Sequence, residues 1–389
     1  MADVVGIICE YNPFHKGHQY QIQQIKREIP NAAIVAIMSG NIVQRGGFAM
    51  LDKYERAKIA LECGVNAVFE MPYPYCGSTA EIFARAGVEI AEGLGCDYLY
   101  FGTECGDIER LEKIACAIDS PLLEERLREE LENKENGYIV AKKRALESMG
   151  VELPRSSNDM LAIEYIRAIK NGQYSLKYRS VKRVGAEYND THVCDIMSAT
   201  AIRKAFGENG EILSVPEHTV GRYRALAANG EMLDNRKEKQ LLHSHAIMYG
   251  DTIKNAFDSS KEVGALIAKK AKEAKNSIAF LDSLTSKVYT ASRLKRVLMY
   301  SLFDITEIEK NVAFTLLLGI DSKGQQLLNE IKKRKKLCVI TKHSDSRNLD
   351  KKAKEMLETV YRVDMVHRLL LTSQGVPSEA YKNKPIIKN

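Results

Sequence analysis

Two histidines, His15 and His18, stand three residues apart in the segment E-Y-N-P-F-H-K-G-H, which spans residues 10–18. Side chains at this spacing lie on one side of a helical turn. Imidazoles placed there can donate hydrogen bonds to a phosphate whose charge grows as a P–O bond breaks. Gly17 permits close approach of a ligand, and a helix that begins here offers unpaired N–H groups to phosphates. Taken alone, H-x-x-H is also the spacing of two surface histidines or of a pair of metal ligands.

The elements around this segment predict an α/β fold. Residues 4–9 (VVGIIC) form a short apolar run of the kind that is buried on both faces of a parallel sheet. Further strands are predicted at 33–38, 67–71 and 98–101, and helices at 17–28, 51–63 and 79–92. Strands that alternate with helices favour a doubly wound parallel sheet, in which ligands bind beyond the carboxyl ends of the strands. The histidine segment lies at such an end.

The rest of the chain is predicted to be mainly helical. Residues 109–148 are charged and helical in pattern, followed by a strand at 178–184 and a helix at 199–206. Residues 207–239 are polar and typical of loops, and from 241 onward the pattern is helical. We therefore predict three parts: a catalytic domain over 1–210 with a helical insertion at about 109–150, a connecting segment over 211–240, and a helical basic domain over 241–389.

Charge is distributed unevenly along the 389 residues. The chain has a formal charge of +6, whereas residues 321–389 alone contain 16 Lys and Arg against 8 Asp and Glu. The densest basic runs are K-K-R-K-K at 332–336 and K-K-A-K at 351–354. Runs of this kind form a solvated helix face or tail, or a surface for phosphate backbones.

Several classes of protein are disfavoured by composition. No apolar run approaches the roughly 18–20 residues of a membrane helix, and the first residues lack the basic region of a secretory signal. The eight cysteines include no C-x-x-C pair, so a cysteine-rich zinc site is not expected. We predict reduced thiols in a cytoplasmic protein that is not bound to a membrane.

A second motif, M-S-A-T-A-I-R at residues 197–203, follows about 180 residues later. Ser198 and Thr200 suit the start of a helix, and Arg203 lies one turn further on. Alone, this pattern predicts no more than a capped helix. Together, the two motifs resemble the HxGH and ISxTxIR signatures of the nucleotidyltransferase superfamily. That resemblance implies a Rossmann-like nucleotidyltransferase domain with a parallel sheet, followed by a mainly α-helical C-terminal domain.

Further segments resemble one family within that superfamily, the bacterial tRNA(Met) cytidine acetate ligases. They are S-G-N-I-V-Q-R-G at 39–46, F-G-T-E at 101–104, S-S-N-D at 156–159, K-R-V-G-A-E-Y at 182–188 and, more loosely, Y-T-A-S-R-L-K-R at 289–296. The chain departs from the family pattern at Gly47-Phe48, where a more acidic, proline-containing stretch is expected. This departure affects one expectation from the resemblance, namely a role for this loop near the acetate.

The resemblance implies a ligase that uses ATP to form acetyl-adenylate, releases pyrophosphate and AMP, and acetylates the wobble cytidine of elongator tRNA(Met) to N4-acetylcytidine. It implies that His15, His18 and Arg203 are catalytic. The implied ATP-binding residues are Ile7, Ile8, Cys9, Glu10, Tyr11, Asn12, Pro13, Phe14, His15, Lys16, Gly17, His18, Gln19, Tyr20, Gly102, Asn158, Arg183, Ser198 and Thr200.

The partners expected on this basis are ATP, acetate and elongator tRNA(Met), with no obligate protein partner. Mg²⁺ is plausible as a companion of ATP, although no carboxylate cluster in the sequence specifies a metal site. Two alternatives stay open. One is an adenylyltransferase that acts on a small phosphorylated metabolite, and the other is a non-catalytic nucleotide-binding protein that binds RNA.

Overall fold

A central β-sheet carries the fold. The structure is a computed structural model that describes residues 3–132, 138–183, 196–286, 288–334, 336–373 and 383–388. Its strands are β1 (Val4–Cys9), β2 (Ala33–Ser39), β3 (Ile42–Val43), β4 (Gly47–Phe48), β5 (Ala67–Met71), β6 (Tyr98–Thr103), β7 (Lys177–Lys182), β8 (Phe314–Asp321), β9 (Cys338–Ile340) and β10 (Ile386–Lys388).

Fifteen α-helices are found in the described residues. They are α1 (Lys16–Glu28), α2 (Lys53–Glu62), α3 (Ala80–Gly93), α4 (Ile108–Ile118), α5 (Pro121–Glu132), α6 (Tyr138–Ser148), α7 (Ser157–Asn171), α8 (Ala199–Asn209), α9 (Val220–Ala228), α10 (Asn235–Met248), α11 (Lys261–Glu273), α12 (Ser277–Ser283), α13 (Ala291–Leu302), α14 (Ser322–Arg334) and α15 (Lys351–Leu369).

The sheet has the strand order β10-β8-β5-β2-β1-β6-β7, and β9 pairs with β8 beside this path. Strands β5, β2, β1, β6 and β7 are parallel. Every residue of β2 and β5 is buried, which explains why both strands are mostly apolar in the sequence, with Ser39 and Glu70 as the polar exceptions. The predicted parallel α/β architecture is therefore confirmed. The short strands β3 and β4 form a separate antiparallel hairpin directly after β2.

The C-terminal part is mainly helical, as predicted, but it also contributes strands that the sequence analysis did not predict. Strand β8 adds to the edge of the sheet antiparallel to β5, and β9 and β10 pair with different parts of β8. Both faces of β8 are buried, so its apolar side chains extend the same core. The last third of the chain thus completes the sheet of the first third.

The connecting segment is more ordered than its polar composition indicated. Helix α9 lies within residues 211–240, and α10 begins before their end. Tyr223 and Leu226 of α9 are buried in the core beneath β1 and α2. The charged region near 109–148 forms α4, α5 and α6, so its helical pattern is confirmed, whereas its place as an insertion stays a prediction.

A cluster of buried charges joins α2, β5 and α15. Lys53 is fully buried, and its Nζ lies 2.7 Å from Glu70 Oε2 and 2.6 Å from Asp364 Oδ2. Asn41 donates from its side-chain nitrogen to Asp364 Oδ1 at 3.0 Å. Burial alone would lower the pKa of Lys53, but the two carboxylates raise it well above its usual value. This cluster ties the C-terminal helix to the sheet.

No helix in the described ranges is long and apolar enough to cross a membrane. Seven cysteines in those ranges are free thiols: Cys9, Cys63, Cys76, Cys96, Cys105, Cys116 and Cys338. Cys194 lies outside them. The described part of the chain therefore agrees with the prediction of reduced thiols.

Candidate active site

A pocket of about 320 Å³ lies at the carboxyl ends of β1 and β6, next to the N-termini of α1, α7 and α8. This is the edge at which a parallel sheet is expected to bind ligands. Its lining residues are Ile8, Cys9, Glu10, Tyr11, Asn12, His15, Gly17, His18, Tyr20, Gln21, Val43, Gln44, Arg45, Phe83, Phe101, Gly102, Ser157, Asn158, Leu161, Tyr165, Val181, Arg183, Ile196, Ala199, Thr200 and Arg203.

Most of the residues predicted for the site line this pocket. All three predicted catalytic residues do, and so do Gly102, Asn158, Arg183 and Thr200. Six predicted ATP-binding residues do not: Ile7, Pro13, Phe14, Lys16, Gln19 and Ser198. Ile7 and Phe14 are core residues, and Ser198 is the N-cap of α8. Their placement indicates that they support the walls of the pocket.

The loop between β1 and α1 is fixed by hydrogen bonds to its backbone. Arg56, buried in α2, donates to the carbonyl oxygen of Glu10 at 2.7 Å and to that of Ser39 at 3.0 Å. Asn12 accepts from the Met50 N–H at 2.8 Å. Tyr11 adopts a positive φ of 46°, an unusual conformation for a residue with a side chain. The loop is therefore held in one shape by groups from neighbouring elements.

Both histidines cap helix α1 with one ring nitrogen. His15 Nδ1 accepts from the Gly17 N–H at 3.0 Å, and His18 Nδ1 accepts from the His15 N–H at 3.2 Å. The two rings stack, with centroids 3.8 Å apart. A nitrogen that accepts a hydrogen bond carries no proton, so each neutral ring carries its proton on Nε2. Each histidine can therefore donate one Nε2–H to a ligand.

The surroundings keep both rings neutral. Burial, followed by the charges of Arg183 and Arg203, lowers the pKa of His15 to about 4. Burial, together with His15 and Arg183, holds the pKa of His18 well below its usual value. A phosphate that enters the pocket would therefore meet two neutral N–H donors beside arginine cations. Such donors are already oriented for charge that develops in a transition state.

Helix α8 places the second motif, residues 197–203, beside the histidine motif at residues 10–18. Arg203 donates to the carbonyl oxygen of Asn12 and, at 3.2 Å, to Thr200 Oγ1. Ser214, in the loop after α8, contacts both helix starts. Its carbonyl accepts from the Lys16 N–H at 2.8 Å, and its Oγ accepts from the Met197 N–H at 2.9 Å. The structure thus places the two motifs, 180 residues apart in sequence, on adjoining walls.

A set of interacting polar side chains lies on the β6 side of the pocket. Asn158, at the start of α7, donates to Glu104 Oε1, and Arg183 Nε lies 3.7 Å from the same oxygen. A Cβ atom at Gly102 would lie 3.1 Å from Arg183 Cγ, so a larger residue there would displace the arginine. The three predicted residues meet at one place. The part of their motif at 184–188 lies outside the described residues.

The pocket residues that were not predicted as individual candidates include Arg45, Ser157 and Tyr165. Arg45 Nη2 donates to Ser157 Oγ at 3.5 Å, from the β3–β4 hairpin to the start of α7. Both belong to segments that carry the family resemblance, but a motif does not show which of its side chains face a ligand. Tyr165 is 3% exposed and lines the pocket. Its helix, α7, was not among the predicted helices.

The divergent loop at Gly47-Phe48 is the second strand of that hairpin. A Cβ atom at Gly46 would lie 2.6 Å from the backbone nitrogen of Arg296, so the hairpin packs closely on α13. The Phe48 N–H donates to Glu238 of α10 at 2.9 Å. The C-terminal helices therefore support one wall of the pocket. The relation of this loop to acetate stays a prediction.

No group of three or more His, Cys, Asp or Glu side chains that could hold a metal ion occurs within the described residues. The spacing H-x-x-H had left a metal pair as one interpretation. In this structure both Nδ1 atoms are instead occupied by backbone N–H groups. The geometry favours a phosphate site over a metal site.

The comparisons with known proteins agree with this geometry. The profile of the HIGH Nucleotidyl Transferase family matches residues 2–382. A tRNA(Met) cytidine acetate ligase of Caldicellulosiruptor bescii is 33% identical over 381 residues, which cover 94% of each chain. One from Fusobacterium nucleatum is 34% identical over 350 residues, which cover 86% of each chain. The chain belongs to the tRNA(Met) cytidine acetate ligase family.

Solved structures extend the match to the whole fold of this family. A crystal structure of Thermotoga maritima TmcAL bound with alpha-thio ATP has a TM-score of 0.89 and 26% identity, and the alignment covers 99% of both chains. A second crystal form of that protein, without ligand, also has a TM-score of 0.89, with 27% identity. The predicted family and fold class are confirmed.

Proposed function

We propose that this chain is an ATP-dependent ligase that activates acetate as acetyl-adenylate and acetylates the wobble cytidine of elongator tRNA(Met). The observation that supports it most directly is the pair of Nε2–H groups of His15 and His18, which face the same pocket as Arg203. The names of the family members and the alpha-thio ATP in the Thermotoga maritima structure agree with a ligase that uses ATP.

The first step joins acetate to AMP. An acetate oxygen attacks the α-phosphorus, the bond to the β-phosphate breaks, and pyrophosphate leaves with the electron pair. Negative charge grows on the bridging oxygen, and His15, His18 and Arg203 are the donors that would stabilise it. Asn158, Arg183 and Gly102 form the wall that would hold the nucleoside. If Mg²⁺ accompanies ATP, the triphosphate itself supplies most of its ligands.

The second step transfers the acetyl group to RNA. Acetyl-adenylate is a good acyl donor because AMP is a much better leaving group than oxide. No covalent acyl-enzyme is needed, and the pocket must mainly hold the amine and the acetyl carbonyl in contact. A wobble cytidine must leave its stack to enter a pocket at the end of a sheet.

The C-terminal part would bind the anionic tRNA. Residues 321–389 have 8 more basic than acidic residues. Some of these charges are locally paired: Lys352 contacts Glu309, and Lys336 contacts Glu92. The excess still favours a partner with many phosphates. A cytoplasmic location follows from this proposed partner.

An exchange assay tests the first half of the proposal. The protein should exchange labelled pyrophosphate into ATP only when acetate is present. Exchange that needs a phosphorylated metabolite instead of acetate would favour the adenylyltransferase alternative and overturn the proposal.

The second half of the proposal is tested by incubating elongator tRNA(Met) with protein, ATP and labelled acetate. Mass spectrometry should find the label on the wobble cytidine, whereas the same tRNA with cytidine replaced by uridine at that position should stay unlabelled.

A further inference from the structure

A carboxylate stands in a pocket that is otherwise built for anions. Of the described residues that line it, Glu10 alone is acidic, beside two histidines and the cations Arg45, Arg183 and Arg203. Glu10 lies directly after β1, and its Oε1 accepts from the Gln44 N–H at 2.8 Å. None of the ion pairs found in the described residues includes Glu10, although its charge acts on Arg203 and Arg56.

A carboxylate in this position disfavours triphosphate and acetate by like-charge repulsion, so it needs another explanation. The acetyl-transfer step supplies one. The exocyclic amine of cytidine is conjugated with its ring and gains positive charge when it attacks a carbonyl carbon. It must lose a proton for the product amide to form, and a base in contact with it lowers the barrier.

The other side chains in the pocket are poorly suited to accept this proton. The Nδ1 lone pairs of His15 and His18 are occupied by backbone N–H groups, and the Nε2 atoms already carry hydrogen. Arginines have no lone pair to offer. Glu10 uses one oxygen for the Gln44 N–H, which leaves its second oxygen for a ligand.

The wall beside Glu10 would strengthen such a contact. Phe83, Leu161 and Tyr165 line the same pocket, and Phe83 and Tyr165 are almost entirely buried. Burial, followed by electrostatic repulsion from Cys9 and Glu10, raises the pKa of Tyr165. Hydrogen bonds between a charged and a neutral group are stronger in such apolar surroundings.

We propose that the Glu10 carboxylate is the proton acceptor for the cytidine amine during acetyl transfer. The new bond joins N4 of cytidine to the acetyl carbon, the bond between that carbon and the phosphate oxygen breaks, and AMP leaves with the electron pair. One N4 proton passes to the second carboxylate oxygen of Glu10. This assignment rests on the proposed function, because it needs acetyl-adenylate and cytidine in the same pocket.

The test separates the two half-reactions. Glu10→Gln keeps an oxygen that can accept from the Gln44 N–H but removes the base. Acetate-dependent pyrophosphate exchange measures activation, and single-turnover acetylation of elongator tRNA(Met) by added acetyl-adenylate measures transfer. We expect Glu10→Gln to lower transfer by about 10²- to 10³-fold relative to exchange. Glu10→Asp, which keeps the carboxylate on a shorter side chain, should recover part of the loss.

Glu104→Gln is the matched control, because Glu104 is a carboxylate at the same edge that contacts Asn158 and Arg183 and does not line the pocket. It should change both half-reactions by similar factors.

Equal losses of exchange and transfer in Glu10→Gln would instead make Glu10 a nucleotide or metal ligand and overturn the proposal. Normal transfer in Glu10→Gln with impaired transfer in Glu10→Ala would reduce Glu10 to a support for the hairpin. Absence of acetate-dependent exchange in the unaltered protein would reject the proposed function itself.

Discussion

Two groups of charged side chains near the carboxyl edge of the sheet differ in how their charges are compensated. In the buried cluster, Lys53 contacts Glu70 and Asp364 and has no exposed surface. In the pocket, Arg45 and Arg203 contact only neutral oxygens of Ser157, Asn12 and Thr200 among the hydrogen bonds found in the described residues. In the first group, every charged side chain has a partner of opposite sign within the protein. The second has an excess of positive charge that an anionic ligand would balance.

The contrast teaches how to distinguish structural from functional charges in this fold. A fully paired buried charge stabilises the native packing and leaves no capacity for a ligand. An unbalanced charge beside neutral, oriented donors costs stability and is retained for binding. Arg56 joins the two groups, because it is buried and donates to backbone carbonyls of Glu10, directly after β1, and of Ser39 in β2. Substitutions in the two groups should therefore affect different properties.

The largest effect is expected from Lys53→Met. Removing the cation leaves Glu70 and Asp364 buried together without compensation, which should lower the free energy of unfolding by about 3–5 kcal/mol. Urea denaturation measures this change. Lys352→Met, which removes an exposed lysine that pairs with Glu309, is the control and should leave the midpoint unchanged. A midpoint for Lys53→Met close to that of the unaltered protein would show that the cluster is not structural.

The next largest effect concerns His18→Ala. Loss of one oriented donor should reduce the rate of tRNA acetylation by about 10²- to 10³-fold while tRNA affinity changes little. Single-turnover acetylation and a filter-binding assay measure the two quantities. His218→Ala, in an exposed histidine outside the pocket, should retain full activity. Unchanged acetylation by His18→Ala would remove this residue from the catalytic group.

His15 should make the stability of the ligand-free protein depend on pH. Its pKa is lowered to about 4 in the folded state. Below pH 6.5 the unfolded chain therefore binds a proton that the folded chain does not, and folding weakens as the pH falls towards 4. Between pH 7 and pH 5 this loss is about 2 kcal/mol.

His15→Asn removes the titrating ring and keeps a side-chain oxygen for the helix cap. Urea titrations at pH 7 and pH 5 should show a smaller loss of stability in this variant than in the unaltered protein. His218→Asn serves as the exposed control and should follow the unaltered protein. An equal loss in His15→Asn would mean that His15 is not the source of the pH dependence.

The smallest effect is expected from Ser214→Ala, which removes the oxygen that accepts from the Met197 N–H. The start of α8 should then be placed less accurately against α1. One lost hydrogen bond of about 1 kcal/mol corresponds to a rise of about fivefold in KM for ATP. Ser120→Ala removes a similar bond to the Leu122 N–H away from the pocket and should not change KM. Equal KM values in both variants would remove Ser214 from the positioning of the motifs.

Much of the fold was predictable from local pattern. Strands β1 and β2 are nearly continuous apolar runs, β5 is apolar except for Glu70, and Ser198 and Thr79 are clear helix caps. Strand β8 was missed because it lies between helices, and its partner β5 is about 245 residues away. Periodicity within a short window does not show such pairing. Helix α9 was missed because the segment around it, residues 207–239, is polar, which conceals the burial of Tyr223.

The candidate site was predictable where its chemical groups belong to a recognisable sequence motif. His15, His18 and Arg203 line one pocket, although their catalytic roles stay predictions. Arg45 and Tyr165 could not be singled out, because their place in the pocket depends on how the hairpin and α7 pack. The same holds for Glu10, which was one of fourteen consecutive candidates. Glu10 differs from the other candidates in its charged neighbours in the pocket, which only the structure shows.

The partner of Lys53 on α15 has a consequence for how the protein is made. Asp364 is encoded 311 positions after Lys53. While the ribosome is still translating that interval, the nascent lysine lacks one of its two counter-ions, and the helix that seals it is absent. The sheet of the N-terminal half should therefore stay susceptible to proteases until α15 has been synthesised.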